Sequence, residues 1–157
     1  MRIRGEQVAQ SGLIEVVDTV GGVGLSAGAP VAFEFDTVTV QDPGYSFSSP
    51  SSDITVLRDG VYRVHVMAAF TRTGGNNGRV TCDGFLEVNG AAVAGCDGVA
   101  LYSRNLATGQ GSFNIPGKLL VLTAGDVVRF TAQVATAGGA TAASRANASF
   151  FNIQRLR

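Results

Sequence analysis

The sequence has no tryptophan, one histidine, two cysteines, four prolines and a single lysine, Lys118. Each shortage excludes something. A lone histidine, His65, cannot build a histidine-based metal site, which needs further ligands clustered around it. As a general base it would need a nucleophile and an orienting carboxylate beside it, and no nucleophile-elbow serine motif occurs. The two cysteines, Cys82 and Cys96, are not arranged as a CxxC metal or redox motif. Charged residues make up only 15% of the 157, and twelve basic residues balance twelve acidic ones. A chain with zero net charge carries no electrostatic footprint for nucleic acid. No apolar run approaches the ~18 residues of a membrane-spanning helix, so no membrane partner is expected. The stretch Met1 to Gln7 has no apolar core of the signal-peptide kind, and synthesis in a cytoplasm is expected.

What is present is hydrophobic residue, 45% of the chain, together with 21 glycines. The length suits one domain with a core of its own. So little surface charge points to surface covered by partner subunits. All basic residues but Lys118 are arginine, which favours interfacial ion pairs and equally fits the codon bias of a GC-rich genome.

The strongest pattern is Asp59 to Phe70. Tyr62, Val64, Val66, Ala68 and Phe70 alternate with Val61, Arg63, His65, Met67 and Ala69, the side-chain period of a β-strand. Val31–Phe35 alternates too, with Val31, Phe33 and Phe35 inward and Thr37 to Val40 as its extension. Ile54–Val56, Ser112–Leu122 (interrupted at Pro116-Gly117), Val127–Val134 and Ala146–Leu156 read as further strands, and Leu101–Leu106 as a short edge strand. Asn89-Gly90 between two apolar runs predicts a hairpin of Val80–Val88 with Ala91–Cys96. No helix is evident. Many short strands with Gly-rich turns predict an all-β sandwich or jelly roll. Residues 1–30 are expected to be an N-terminal arm or accessory strand, and 31–157 the sandwich domain.

Gly22-Val23-Gly24-Leu25-Ser26-Ala27 matches the dinucleotide fingerprint, but a strand follows where that fold needs a helix. Asp42, Asp83, Asp97 and Asp126 sit in or near turns without the close ligand series of a calcium loop. Cys82 and Cys96 depend on hairpin register. A two-residue turn sets residue 82 opposite 97, and a three-residue loop sets it opposite Cys96. A disulfide and two buried free thiols are both compatible with the sequence. Nothing points to an enzyme, and no cofactor or metal is expected.

The order of Val31-Ala32-Phe33, Ile54-Thr55-Val56, Gly60-Val61-Tyr62-Arg63-Val64, Leu86-Glu87-Val88-Asn89-Gly90, Leu120 to Val128 and Ala148 to Leu156 resembles the tumour-necrosis-factor and complement-globular-head jelly roll, in its bacterial and phage forms. That resemblance covers about residues 31–157. It implies a compact homotrimer, with Tyr62, Phe150 and Phe151 near subunit contacts. There is no collagen-like stalk. A short arm plus such a head is expected in a structural virion protein, a phage capsid decoration (cement) protein docked on the major capsid protein or another virion protein. An arm of thirty residues reaches about 100 Å when extended. The alternative is a receptor- or glycan-binding head of a phage fibre or bacterial surface protein.

Overall fold

The computed structural model describes residues 12–25, 27–74, 79–104, 109–135 and 141–157. Thirteen strands and no helix occur among them. In chain order they are β1 (Leu13–Asp18), β2 (Gly24–Leu25), β3 (Val31–Ala32), β4 (Thr37–Gln41), β5 (Tyr45–Ser46), β6 (Ile54–Val56), β7 (Gly60–Gly74), β8 (Val80–Val88), β9 (Ala91–Ser103), β10 (Gln110–Leu122), β11 (Val127–Val134), β12 (Thr141–Ser144) and β13 (Ser149–Arg155).

They form two antiparallel sheets packed face to face. The first follows β2-β12-β7-β13-β1-β4, with β10 on the other edge of β7; the second follows β5-β6-β11-β8-β9, with β3 also on β11. The β7 strand is the axis of the first sheet. One edge pairs with β10 from residue 60 to 71, and β13 and β12 share the opposite edge in succession. As its alternation predicts, Tyr62, Val64, Val66, Ala68 and Phe70 are all completely buried.

Phenylalanines join the layers. Phe33 lies 5.8 Å from Phe70 and 5.9 Å from Phe130, and Phe35 lies 5.7 Å from Phe151, between ring centroids. Such spacings suit tilted and edge-on ring contacts. Gly84 makes room for one of these pairs: a Cβ there would lie 2.7 Å from Phe130, which stacks on Phe113 at 5.5 Å.

Two expectations change. The run Val31–Val40 is not one strand. Val31–Ala32 pairs with β11, Phe33 adds one backbone hydrogen bond to Phe130 of that strand, and by Thr37 the chain has crossed to pair with β1 in the first sheet. Phe33 and Phe35 sit at the crossing, where alternation continues although the sheet changes. Leu13–Asp18, within the segment expected as an N-terminal arm or accessory strand, is a strand that lies between β13 and β4, with Ile14 and Val16 wholly buried. Residues 1–11 lie outside the described residues. Finally, the expected break at Pro116-Gly117 is a bulge in a continuous β10, where the pairing shifts between Ile115 and Lys118 and Gly117 takes φ 132°. An edge strand tolerates proline at such a bulge because no ladder hydrogen bond is lost there.

The hairpin closes as Asn-Gly predicts. Val88 faces Ala91, and Asn89 and Gly90 take φ 52° and 79°, the positive pair of a type I′ turn. Asn89 also ties this turn to the next one. Its amide nitrogen donates to Asp126 at 2.8 Å, and its amide oxygen accepts from the Val127 backbone at 2.9 Å.

Candidate functional site: the outer face of the first sheet

Successive side chains of a strand point alternately to the core and outward, so the register of the first sheet dictates its outer surface. Val17 faces Thr37 and Phe150, Phe150 faces Met67, and Met67 faces Asn114. That row crosses five strands without a charged residue. One step along, Glu15, Asn152 and His65 form a polar row. Asn152 donates to Glu15 at 3.2 Å, and the Thr39 hydroxyl donates to Glu15 at 2.9 Å. Beyond it, Leu119 beside Arg63 and Val121 beside Val61 project outward, 56% and 82% exposed. Two shallow depressions of about 280 and 400 Å³ lie on this face and meet at Met67 and Ala148.

Phe150 is at the centre. Its ring is only partly covered and meets His65 edge-on at 4.8 Å. The Nε2 atom of His65 lies 3.2 Å from the side-chain oxygen of Asn114, an amide that can orient the imidazole but cannot accept a proton from it at neutral pH. The arrangement lacks the orienting carboxylate that acid–base chemistry by this histidine would use.

Tyr62 and Phe151 belong elsewhere. Both are completely buried between the sheets, with the Tyr62 hydroxyl donating to the Arg58 carbonyl at 2.5 Å. Neither can touch a partner subunit while the sandwich is intact, so of the three aromatics expected at subunit contacts only Phe150 reaches the surface. The reason is parity: 150 and 151 are adjacent on one strand and face opposite ways. Val17 and Met67 are the neighbours that the sequence reading passed over. Their outward parity was readable, but which strands lay beside them was not.

Cys82 and Cys96 are free and buried. The turn is two residues long, yet irregularities in the β8–β9 ladder place Cys82 opposite Leu101 and Asp97 opposite Phe85. The two cysteines are thus about four rungs apart, roughly 13 Å along the strands, beyond disulfide reach. Burial pushes the Cys82 thiol up to about 11 and raises that of Cys96. Of the four aspartates expected in or near turns, Asp83 and Asp97 lie within β8 and β9, and the other two hold backbone. Asp42 accepts from the Leu13 amide at 2.6 Å, and Asp126 accepts from the Thr123 amide at 2.8 Å. Among the described residues no cluster of three or more histidine, cysteine or acidic side chains could hold a metal ion. Gly24 and Leu25 of the glycine fingerprint form β2, paired with β12, and no helix follows.

No protein-family model and no curated protein matches the chain. Solved structures do. Eiger TNF from S. frugiperda aligns with TM-score 0.57 at 18% identity, over 94% of this chain and 93% of that one. Murine APRIL aligns with TM-score 0.61 at 11% identity, over 94% of this chain and all of that one. At such identities the likeness is one of fold, and the chain is a jelly-roll β-sandwich of the tumour-necrosis-factor type.

Proposed function

We propose that the chain is a non-enzymatic structural protein that assembles as a homotrimer through the outer face of its first sheet. The observation that carries this reading is the uncharged row Thr37, Val17, Phe150, Met67 and Asn114, with outward Leu119 and Val121 on the same face beyond the adjoining polar row. Single exposed apolar residues are ordinary on any protein surface. A contiguous row centred on a phenylalanine, bordered by Glu15, Asn152 and His65, has the layout of an interface core with a polar border. Closed rotational symmetry uses such a patch fully without building open filaments.

The finer reading is a phage capsid decoration protein that docks on the major capsid protein and braces the shell. Low surface charge and an aromatic-filled sandwich support it, because a brace works by adding buried area between neighbouring capsomers. Light scattering on the purified protein gives three times the chain mass if the trimer reading holds, and a monomer at micromolar concentration removes it. Shells assembled with the protein rupture at a higher temperature than shells without it; equal rupture temperatures defeat the capsid role and leave the trimer untouched.

A further inference from the structure

Along β13, Phe151 and Ile153 point inward, and the next residue in that phase is Arg155. It pairs with Tyr62 at the open end of the sandwich, where the two sheets part. A cleft of about 340 Å³ opens there, lined by Gly12, Asp42, Pro43, Gly44, Tyr45, Arg58 and Arg155. Its walls are fixed. Arg155 donates through Nε and Nη2 to the Asp59 carbonyl at 3.1 and 2.8 Å, which holds the guanidinium plane. The Tyr45 hydroxyl donates to the Gly12 carbonyl at 2.9 Å, and Asp42 Oδ2 accepts from Leu13. The Arg58 side chain, by contrast, has no hydrogen-bond or ion-pair partner among the described residues. Two guanidinium groups therefore line one cleft whose single carboxylate is already engaged through one oxygen.

We propose that this cleft binds a sugar acid, a monosaccharide-sized ring carrying one carboxylate. Planar guanidinium donors match a carboxylate in paired hydrogen bonds. Two arginines against Asp42 leave one net positive charge, which suits a monoanion better than a doubly charged phosphate. Asp42 Oδ1 offers an acceptor for a ring hydroxyl, and the volume lies at the lower end of small-ligand sites. The assignment is independent of the trimer reading, since every lining residue comes from one chain.

Titration calorimetry of the intact protein with glucuronate tests it, with glucose, acetate and inorganic sulfate as comparisons and the mass of the sample measured alongside. Glucuronate binds saturably, glucose does not, and Arg58→Gln weakens binding about ten- to a hundredfold, the range for losing a charge-assisted hydrogen bond. Arg58 is exposed, so the variant keeps its fold, which an unchanged melting curve verifies. The proposal fails if glucuronate gives no saturable heat, if acetate or sulfate binds as tightly, or if Arg58→Gln binds like the parent.

Discussion

Replacing Phe150 by aspartate sets a carboxylate at the middle of the uncharged row on the first sheet, where Val17 and Met67 are its cross-strand neighbours. In the isolated chain the cost is small. The ring is already part-exposed, and what is lost is mainly its edge-on contact with His65, about 0.5–1.5 kcal/mol. In a trimer built on this face the cost is much larger. Each subunit loses the burial of a phenylalanine, about 1.5–3 kcal/mol, and gains a carboxylate without a partner, which costs several kcal/mol more. Summed over three copies this exceeds about 10 kcal/mol, against about 1.4 kcal/mol for each tenfold change in association. Phe150→Asp should therefore be a folded monomer with a melting temperature only modestly different from that of an unassembled parent. Phe151→Ala is the internal contrast: its side chain is completely buried, so it destabilises the fold itself by about 3–5 kcal/mol. Light scattering and thermal melting by circular dichroism read the two effects separately. A Phe150→Asp protein that stays trimeric, or unfolds as badly as Phe151→Ala, refutes the placement of the interface.

Two further predictions concern groups away from that face. Burial pulls the Asp36 carboxyl upward, but hydrogen bonds from the Thr19 and Thr37 hydroxyls and the Val20 and Thr19 amides outweigh it and hold the group at about 2. A carboxylate depressed in the folded state stabilises above its unfolded value of 3.8 and loses that contribution as pH falls toward 2. Melting temperature should drop across that window in the parent and less steeply in Asp36→Asn; parallel curves would show that Asp36 plays no such part. Cys82 and Cys96 should react with a thiol reagent only as the protein unfolds, and mild oxidation should leave both reduced. An intramolecular disulfide in the native protein, seen as a two-dalton mass loss, would contradict the β8–β9 register.

The strand character of this chain, its inward residues and its tightest turn were legible locally. Alternation depends only on neighbours two positions apart, so Tyr62 to Phe70 and Val128 to Val134 could be assigned to a core without knowing what they packed on. Asn89-Gly90 specified its own turn because positive φ at two successive residues suits few other pairs. Periodicity is silent, however, on which sheet a strand joins. Nothing local distinguishes Phe35 in the second layer's crossing from Thr37 in the first sheet, and Leu13–Asp18 became an inner strand only because β13 returned to cover one edge of it. Cross-strand register likewise belongs to the whole ladder: each irregularity in β8 and β9 shifts every later pair, which carried Cys82 to Leu101 and away from Cys96. The sequence by itself determined an all-β sandwich and the two faces of each strand. Only the tertiary structure decided which outward residues meet in one row and that Arg155, in phase with the core, ends at its open mouth, because those facts depend on contacts between residues far apart in the chain.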